Sequence, residues 1–246
     1  MRLTLARRAS AEFAGTALLV TAVVGSGIAA ARMSPGDVGL QLLENAIATA
    51  FALGALILML GPVSGAHLNP VVSAVDWWLG RRTGTGLAGP DLAAYAAAQA
   101  TGAICGAILA NLMFDLPAVA WSETDHTGAN LWLAEVVATA GLVVLVFALA
   151  RTGRTSVAPA AVGAYIGAAY WFTSSTSFAN PAVTIGRTVS DTFAGIAPTS
   201  VPGFVIAQLV GGLLAVAALA AWYPGAGRAA DAVLMPRLPQ ETTRDA

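Results

Sequence analysis

Six apolar stretches, each close to the length that crosses a bilayer, constrain this chain more than any other feature. They run over roughly 11–31, 41–61, 92–114, 130–150, 156–175 and 201–223. A helix needs about 20 apolar residues to cross the hydrocarbon core. Inside lipid every backbone N–H and C=O must be paired internally, so only helices or a closed barrel can span. The runs are continuous and lack the period-2 alternation of a barrel strand, so they read as helices. Composition agrees, because only 10% of the 246 residues are charged and 57% are apolar. A soluble domain of this size carries about 25% charged residues. The chain therefore reads as an all-α membrane protein. Its N-terminus, Met1 to Ser10, is basic and leads straight into the first run with no small-residue cleavage site close behind, so it reads as a first membrane helix.

Two more apolar segments are too short to span. One follows Asn69 and reaches about Leu79; the other follows Asn180 and reaches about Ser190. Segments of this length suit re-entrant half-helices buried in protein. They also mark an internal repeat. Glu12 in AEFAGTALLV matches Glu135 in AEVVATAGLV. Asn69-Pro70-Val71 matches Asn180-Pro181-Ala182, and Gln99 matches Gln208. Each half holds three spans, so the second enters the membrane the opposite way round. Proteins built this way place their sites where the interrupted segments of the two halves meet. Residues 1–224 thus read as one membrane domain, with repeat 1 over about 8–114 and repeat 2 over about 130–224. The segment 225–246, rich in proline and charge, reads as a disordered cytoplasmic tail.

All 12 basic residues are arginine. With the N-terminus inside, Arg2, Arg7, Arg8, Arg81, Arg82, Arg151, Arg154, Arg228, Arg237 and Arg244 lie on the inner side, and only Arg32 and Arg187 on the outer. This asymmetry favours cytoplasmic termini. The loop carrying Asp115, Glu123, Asp125 and His126 is then extracellular. Trp77-Trp78 beside Arg81-Arg82 suits an interface anchor.

The net charge of −1 with no basic block gives no sign of nucleic-acid binding. Cys105 is the only cysteine and His67 and His126 the only histidines. An intramolecular disulfide is impossible, and no metal or other cofactor is expected. No nucleotide loop or catalytic triad suggests an enzyme. Ser64, Ser73 and Thr184 could be nucleophiles, but no base stands beside them in the sequence.

The two Asn-Pro pairs have a physical logic. Proline fits the first helical position, where its missing N–H costs nothing. The preceding asparagine can cap the helix. Each helix start carries about half a positive charge. Two such ends facing one channel repel cations, and the asparagine amides can donate to a passing oxygen and interrupt a proton relay.

Ser64-Gly65-Ala66-His67-Leu68-Asn69-Pro70-Val71 resembles the first signature loop of the aquaporin family, and Phe178-Ala179-Asn180-Pro181-Ala182 the second. With the paired glutamates and six spans, the resemblance covers about residues 8 to 224. It implies six transmembrane helices plus two half-helices, a homotetramer with one pore per subunit, and a cell-membrane location. It also implies that Glu12, Glu135 and His67 support the re-entrant loops, with His67 lining the inner vestibule.

This sequence departs from the family pattern at two points. Val71 replaces the usual alanine of the first signature. Val183 replaces the arginine that usually follows the second and forms the narrow aromatic/arginine filter. Family spacing, counted without a gap, puts the other three filter positions at Thr49, Ala168 and Ser177. This small, neutral set implies a wide, uncharged constriction passing glycerol, urea or arsenious acid along with water. A water-selective pore is the alternative, and a proton-coupled transporter using Glu12 and Glu135 the alternative of another class. Arg187, seven residues beyond Asn180, reads either as a loop-support or surface residue or as a charge near the outer mouth. Gly102/Gly106 and Gly163/Gly167 read as close helix contacts, and Gln99 and Gln208 as polar links between helices.

Overall fold

The structure, a computed structural model, describes residues 3–226. The proposed tail and Arg2, Arg228, Arg237 and Arg244 therefore lie outside the described residues, apart from Gly225 and Ala226. Among the described residues there are helices and no strands. In order these are α1 (Leu5–Met33), α2 (Val38–Ser64), α3 (Pro70–Gly80), α4 (Gly89–Met113), α5 (Ala129–Arg151), α6 (Ala158–Phe172), α7 (Pro181–Gly186) and α8 (Val201–Trp222). Short 3₁₀ turns, Thr155–Val157, Arg187–Val189 and Pro198–Ser200, flank α6, α7 and α8.

Five of these helices are long and apolar enough to cross a membrane: α1, α2, α4, α5 and α8. The remaining expected span is shorter as an α-helix, because α6 has 15 residues. Proline at position 159 sits in its first turn, and the 3₁₀ turn Thr155–Val157 precedes it. At about 1.5 Å per α residue and about 2.0 Å per 3₁₀ residue, the pair covers about 28 Å, close to the hydrocarbon thickness. The stretch 173–180, partly assigned to the span from sequence, is instead the loop that leads into α7.

The two halves repeat each other in their packing as in their sequence. Gly102 and Gly106 on α4 face the α1 backbone: a Cβ at these positions would come within 2.3 Å of Phe13 O and 2.1 Å of Ala17 O. Gly211 on α8 meets the α5 backbone in the same way, its Cβ position lying 2.6 Å from Val136 O. Gly163 and Gly167 bring α6 against Ala50 of α2. Small residues let helix backbones approach where no hydrophobic force drives helices together in lipid. Gly106→Val is expected to destabilise the protein by about 3 kcal/mol, the upper end for overpacking, because the obstacle is backbone and cannot rotate away. Gly61→Ala, where nothing lies within 4 Å of the new Cβ, is the control. Equal thermal midpoints for both in detergent would contradict this packing.

Polar side chains pin the remaining joints. Asn45 of α2 donates to Val23 O and Ser26 Oγ of α1, both at 2.8 Å. Asn111 of α4 donates to Ala118 O and Val189 O and accepts from Ser190 Oγ at 2.7 Å, tying the turn after α7 to the long loop before α5. Arg8 pairs with Asp91 at 2.7 Å. The Arg81 guanidinium lies 3.5 Å from the centre of the Trp78 ring, as an interface anchor would.

Candidate channel site

The half-helices start where the sequence places them. Asn69 and Asn180 have extended backbones, and each proline occupies the first turn. Asn69 Oδ1 accepts from Val71 N at 2.9 Å. Asn180 Oδ1 accepts from Ala182 N at 3.0 Å and Val183 N at 3.3 Å. Each asparagine also reaches the opposite loop. Asn69 Nδ2 donates to Ala179 O at 2.8 Å, and Asn180 Nδ2 donates to Leu68 O at 2.7 Å. The two helix starts are thus tied together. An amide carries two N–H donors, so one on each asparagine remains for the cavity that both side chains line.

The loops before the half-helices are strained in matching places. Gly65, Ala66 and Leu68 have positive φ, and so do Thr176, Ser177 and Ala179, a constant 111 residues later. Non-glycine residues rarely adopt this conformation, and it persists only where the surroundings over-determine it. The glutamates do so. Glu12 accepts from Ser64 Oγ (2.6 Å), His67 N (3.0 Å), Leu68 N (2.7 Å) and Gln99 Nε2 (2.7 Å). Glu135 accepts from Ser175 Oγ (2.6 Å), Phe178 N (2.9 Å), Ala179 N (2.8 Å) and Gln208 Nε2 (2.6 Å). Both carboxylates are fully buried. Each has about four acceptor sites, and all are taken. Neither residue lines the cavity.

Gln99 and Gln208 extend these clusters to the half-helices, donating to Ser73 Oγ at 3.1 Å and Thr184 Oγ1 at 2.9 Å. His67 lines the cavity and its Nδ1 lies 2.9 Å from Ser73 Oγ. Ser73 therefore does have a base beside it, contrary to the sequence reading. It is fully buried and does not line the cavity.

The cavity follows regular rows of helical residues. Ala158, Val162, Ile166 and Tyr170 of α6 line it at intervals of four, as do Thr49, Leu53 and Ile57 of α2, and Leu142 and Val146 of α5. Residues four apart share a helix face. From Ala158 to Tyr170 the α6 row extends about 18 Å. These rows are mostly apolar. The polar lining comes from the loops and the short helix: His67, Asn69, Ser177, Asn180 and Arg187. Among the described residues, no protein donor reaches the carbonyls of Ala66, His67, Ser177 or Phe178, four residues that line the same cavity. They remain open as acceptors.

The outer constriction differs from the sequence expectation. Thr49, Ser177 and Val183 line the cavity, and each is at least 95% buried. Ala168 does not; it is exposed on the far side of α6. Two residues along a helix turn about 200°, so when Ile166 and Tyr170 face inward Ala168 must face out. Tyr170 takes the place assigned to Ala168, its hydroxyl 3.1 Å from Thr49 Oγ1. Arg187 is not a surface residue. It is buried, lines the cavity, and stacks over the Phe178 ring at 3.5 Å. The cavity lining beside the expected filter positions thus carries an aromatic ring and a guanidinium.

The outer loop packs beside it. His126 meets the rings of Phe178 and Phe204 edge-on at 5.5 and 5.8 Å. Burial pushes its imidazole below the ordinary value, against the raising effect of its bond with Thr124 O, so the ring is neutral at pH 7. The neighbouring Asp125 carboxylate is held low by hydrogen bonds from the Thr127 and Ser200 hydroxyls. Among the described residues, no group of three or more histidine, cysteine or acidic side chains could hold a metal ion.

The sequence model of the family described as major intrinsic protein matches residues 1–177. This chain belongs to the major intrinsic protein family. It is 52% identical over 213 residues to aquaglyceroporin AqpS of Rhizobium meliloti (strain 1021), covering 87% of this chain and 88% of that protein. It is 32% identical to the glycerol uptake facilitator protein of Pseudomonas aeruginosa over 224 residues, 78% of this chain and 77% of that one. The aquaglyceroporin of Plasmodium falciparum shares its fold, with a TM-score of 0.65 at 17% identity over 89% of this chain and 97% of that one. Family and helices together make this a multi-pass membrane protein.

Proposed function

We propose that this protein is a passive channel for small uncharged polyhydroxy solutes, glycerol first among them, with water passing through the same cavity. The observation that carries this reading is the two-sided chemistry of the lining. Apolar rows on α1, α2, α5 and α6 suit a carbon skeleton, while open carbonyls, two asparagine amides and His67 suit hydroxyl groups. A polyol needs both, since an unpaired hydroxyl in a dry passage costs free energy. The names of its relatives, an aquaglyceroporin and a glycerol uptake facilitator, support the same solute class. Urea and arsenious acid, small and neutral with several hydrogen-bonding groups, are further candidates.

The paired half-helix starts, held together by their asparagines, put positive ends against the middle of the passage and oppose cations and proton relay. Glu12, Glu135 and His67 are loop supports in this reading, and proton coupling is disfavoured because both carboxylates are saturated and away from the cavity. Cytoplasmic termini, a cell-membrane location and a homotetramer belong to the same proposal.

The deciding experiment is stopped-flow light scattering on proteoliposomes. Shrinkage in an impermeant osmolyte and reswelling in glycerol, both faster than in empty liposomes, are expected. Fast shrinkage without reswelling would overturn the proposal and favour a water-selective pore. The Thr49–Tyr170 contact across the constriction is the feature that would then explain exclusion.

A further inference from the structure

We infer that Arg187 supplies the fixed positive charge of the outer constriction, and that it sets both cation exclusion and solute recognition there. This rests on the channel reading above. Three observations carry it. Arg187 lines the cavity although it is 4% exposed, so its charge faces the passage and not the bulk solvent. Among the described residues no carboxylate lies within ion-pair distance of it, so no direct ion pair cancels its charge, and Glu135 attracts it only from farther off. Its Nε donates to Ala194 O, while among the described residues no protein acceptor holds either terminal nitrogen, which leaves those donors for whatever occupies the cavity.

The guanidinium is also held in place. Its plane stacks 3.5 Å over Phe178, and Phe178 packs edge-on against Phe204 at 5.1 Å and His126 at 5.5 Å. Phe178 N is in turn fixed by Glu135. A charge that cannot swing aside is an electrostatic barrier to cations in a low-dielectric passage. Arginine keeps its proton in proteins, so the barrier persists across physiological pH.

Ser177, also on the cavity wall, can complete a solute site. Ser177 is 3% exposed, lines the cavity, and its Oγ has no protein partner. Arginine donors with a serine hydroxyl suit a solute carrying two adjacent oxygens. Val183, which also lines the cavity, lies four residues before Arg187, about one turn away.

The test uses full-length protein in proteoliposomes, with sodium influx read by an entrapped dye and glycerol entry read by reswelling. Arg187→Leu is expected to raise sodium influx at least about tenfold, the effect of about 1.4 kcal/mol of lost barrier, and to change glycerol entry. Arg187→Lys should stay sodium-tight. The double variant Val183→Arg with Arg187→Leu should recover tightness, because charge returns one turn away. Arg187→Gln keeps a donor but no charge, and decides the matter if the leucine variant does not fold. Sodium-tight, folded Leu or Gln variants with wild-type glycerol entry would overturn the inference. Absence of glycerol entry in the wild type would instead overturn the channel reading.

Discussion

Replacing Val183 by arginine is expected to cut glycerol permeation at least about tenfold, an added barrier of about 1.4 kcal/mol, while a measurable water flux remains. Val183 is 5% exposed and lines the cavity one turn beyond Asn180. An arginine there brings a long side chain into a constriction already formed by Thr49, Tyr170 and Ser177. It also sets a second guanidinium four residues from Arg187, and like charges at this spacing repel. One of the two must extend into the passage, where glycerol needs more room than water. Val183→Leu separates the causes, since it adds bulk without charge. Stopped-flow reswelling and shrinkage on the same vesicles measure both fluxes. Glycerol entry unchanged by the arginine would mean that Val183 does not face the limiting section.

The middle of the channel was readable from sequence because its rules are local. Asparagine followed by proline can cap and start a helix almost anywhere, and the repeated Glu and Gln residues marked equivalent places in the two halves. The four donors on Glu12 and Glu135 follow from that symmetry. The outer constriction depends on tertiary geometry. Helix α6 is apolar all round, so no polar stripe marked which face meets the cavity. A count from Asn180 had to cross residues 173–179, where left-handed conformations at Thr176, Ser177 and Ala179 break helical spacing. The count landed on Ala168, two residues from Tyr170 and on the opposite face. The row Ala158, Val162, Ile166 and Tyr170 was the available signal. The burial of Arg187 required the Phe178 ring and Ala194, which the sequence separates from it by nine and seven residues.

Glu135→Gln should be the most damaging conservative change in the protein. A glutamine offers one acceptor oxygen and one donor nitrogen, whereas the site presents four donors. Its NH₂ must therefore face either Ser175 and Phe178 N or Ala179 N and Gln208. The Ser175 hydroxyl or the Gln208 amide can turn to accept from it, but one backbone N–H loses its bond to a charged acceptor, about 1.5–3 kcal/mol, and stays buried without a partner. That loss is a sizeable part of the about 5–15 kcal/mol that holds a typical fold together. The expected readout is a sharp fall in folded yield and thermal midpoint in detergent. Glu12→Gln should behave alike, since its donors repeat the pattern. A coupled transporter predicts the opposite: normally folded protein whose flux no longer follows a proton gradient. That result would restore carrier function to these carboxylates. The two variants should still differ in whatever fraction folds. Glu135 holds the loop that carries Phe178, and Phe178 seats Arg187, so Glu135→Gln should also leak sodium. Glu12 holds the loop with His67, remote from that charge, and Glu12→Gln should stay tight.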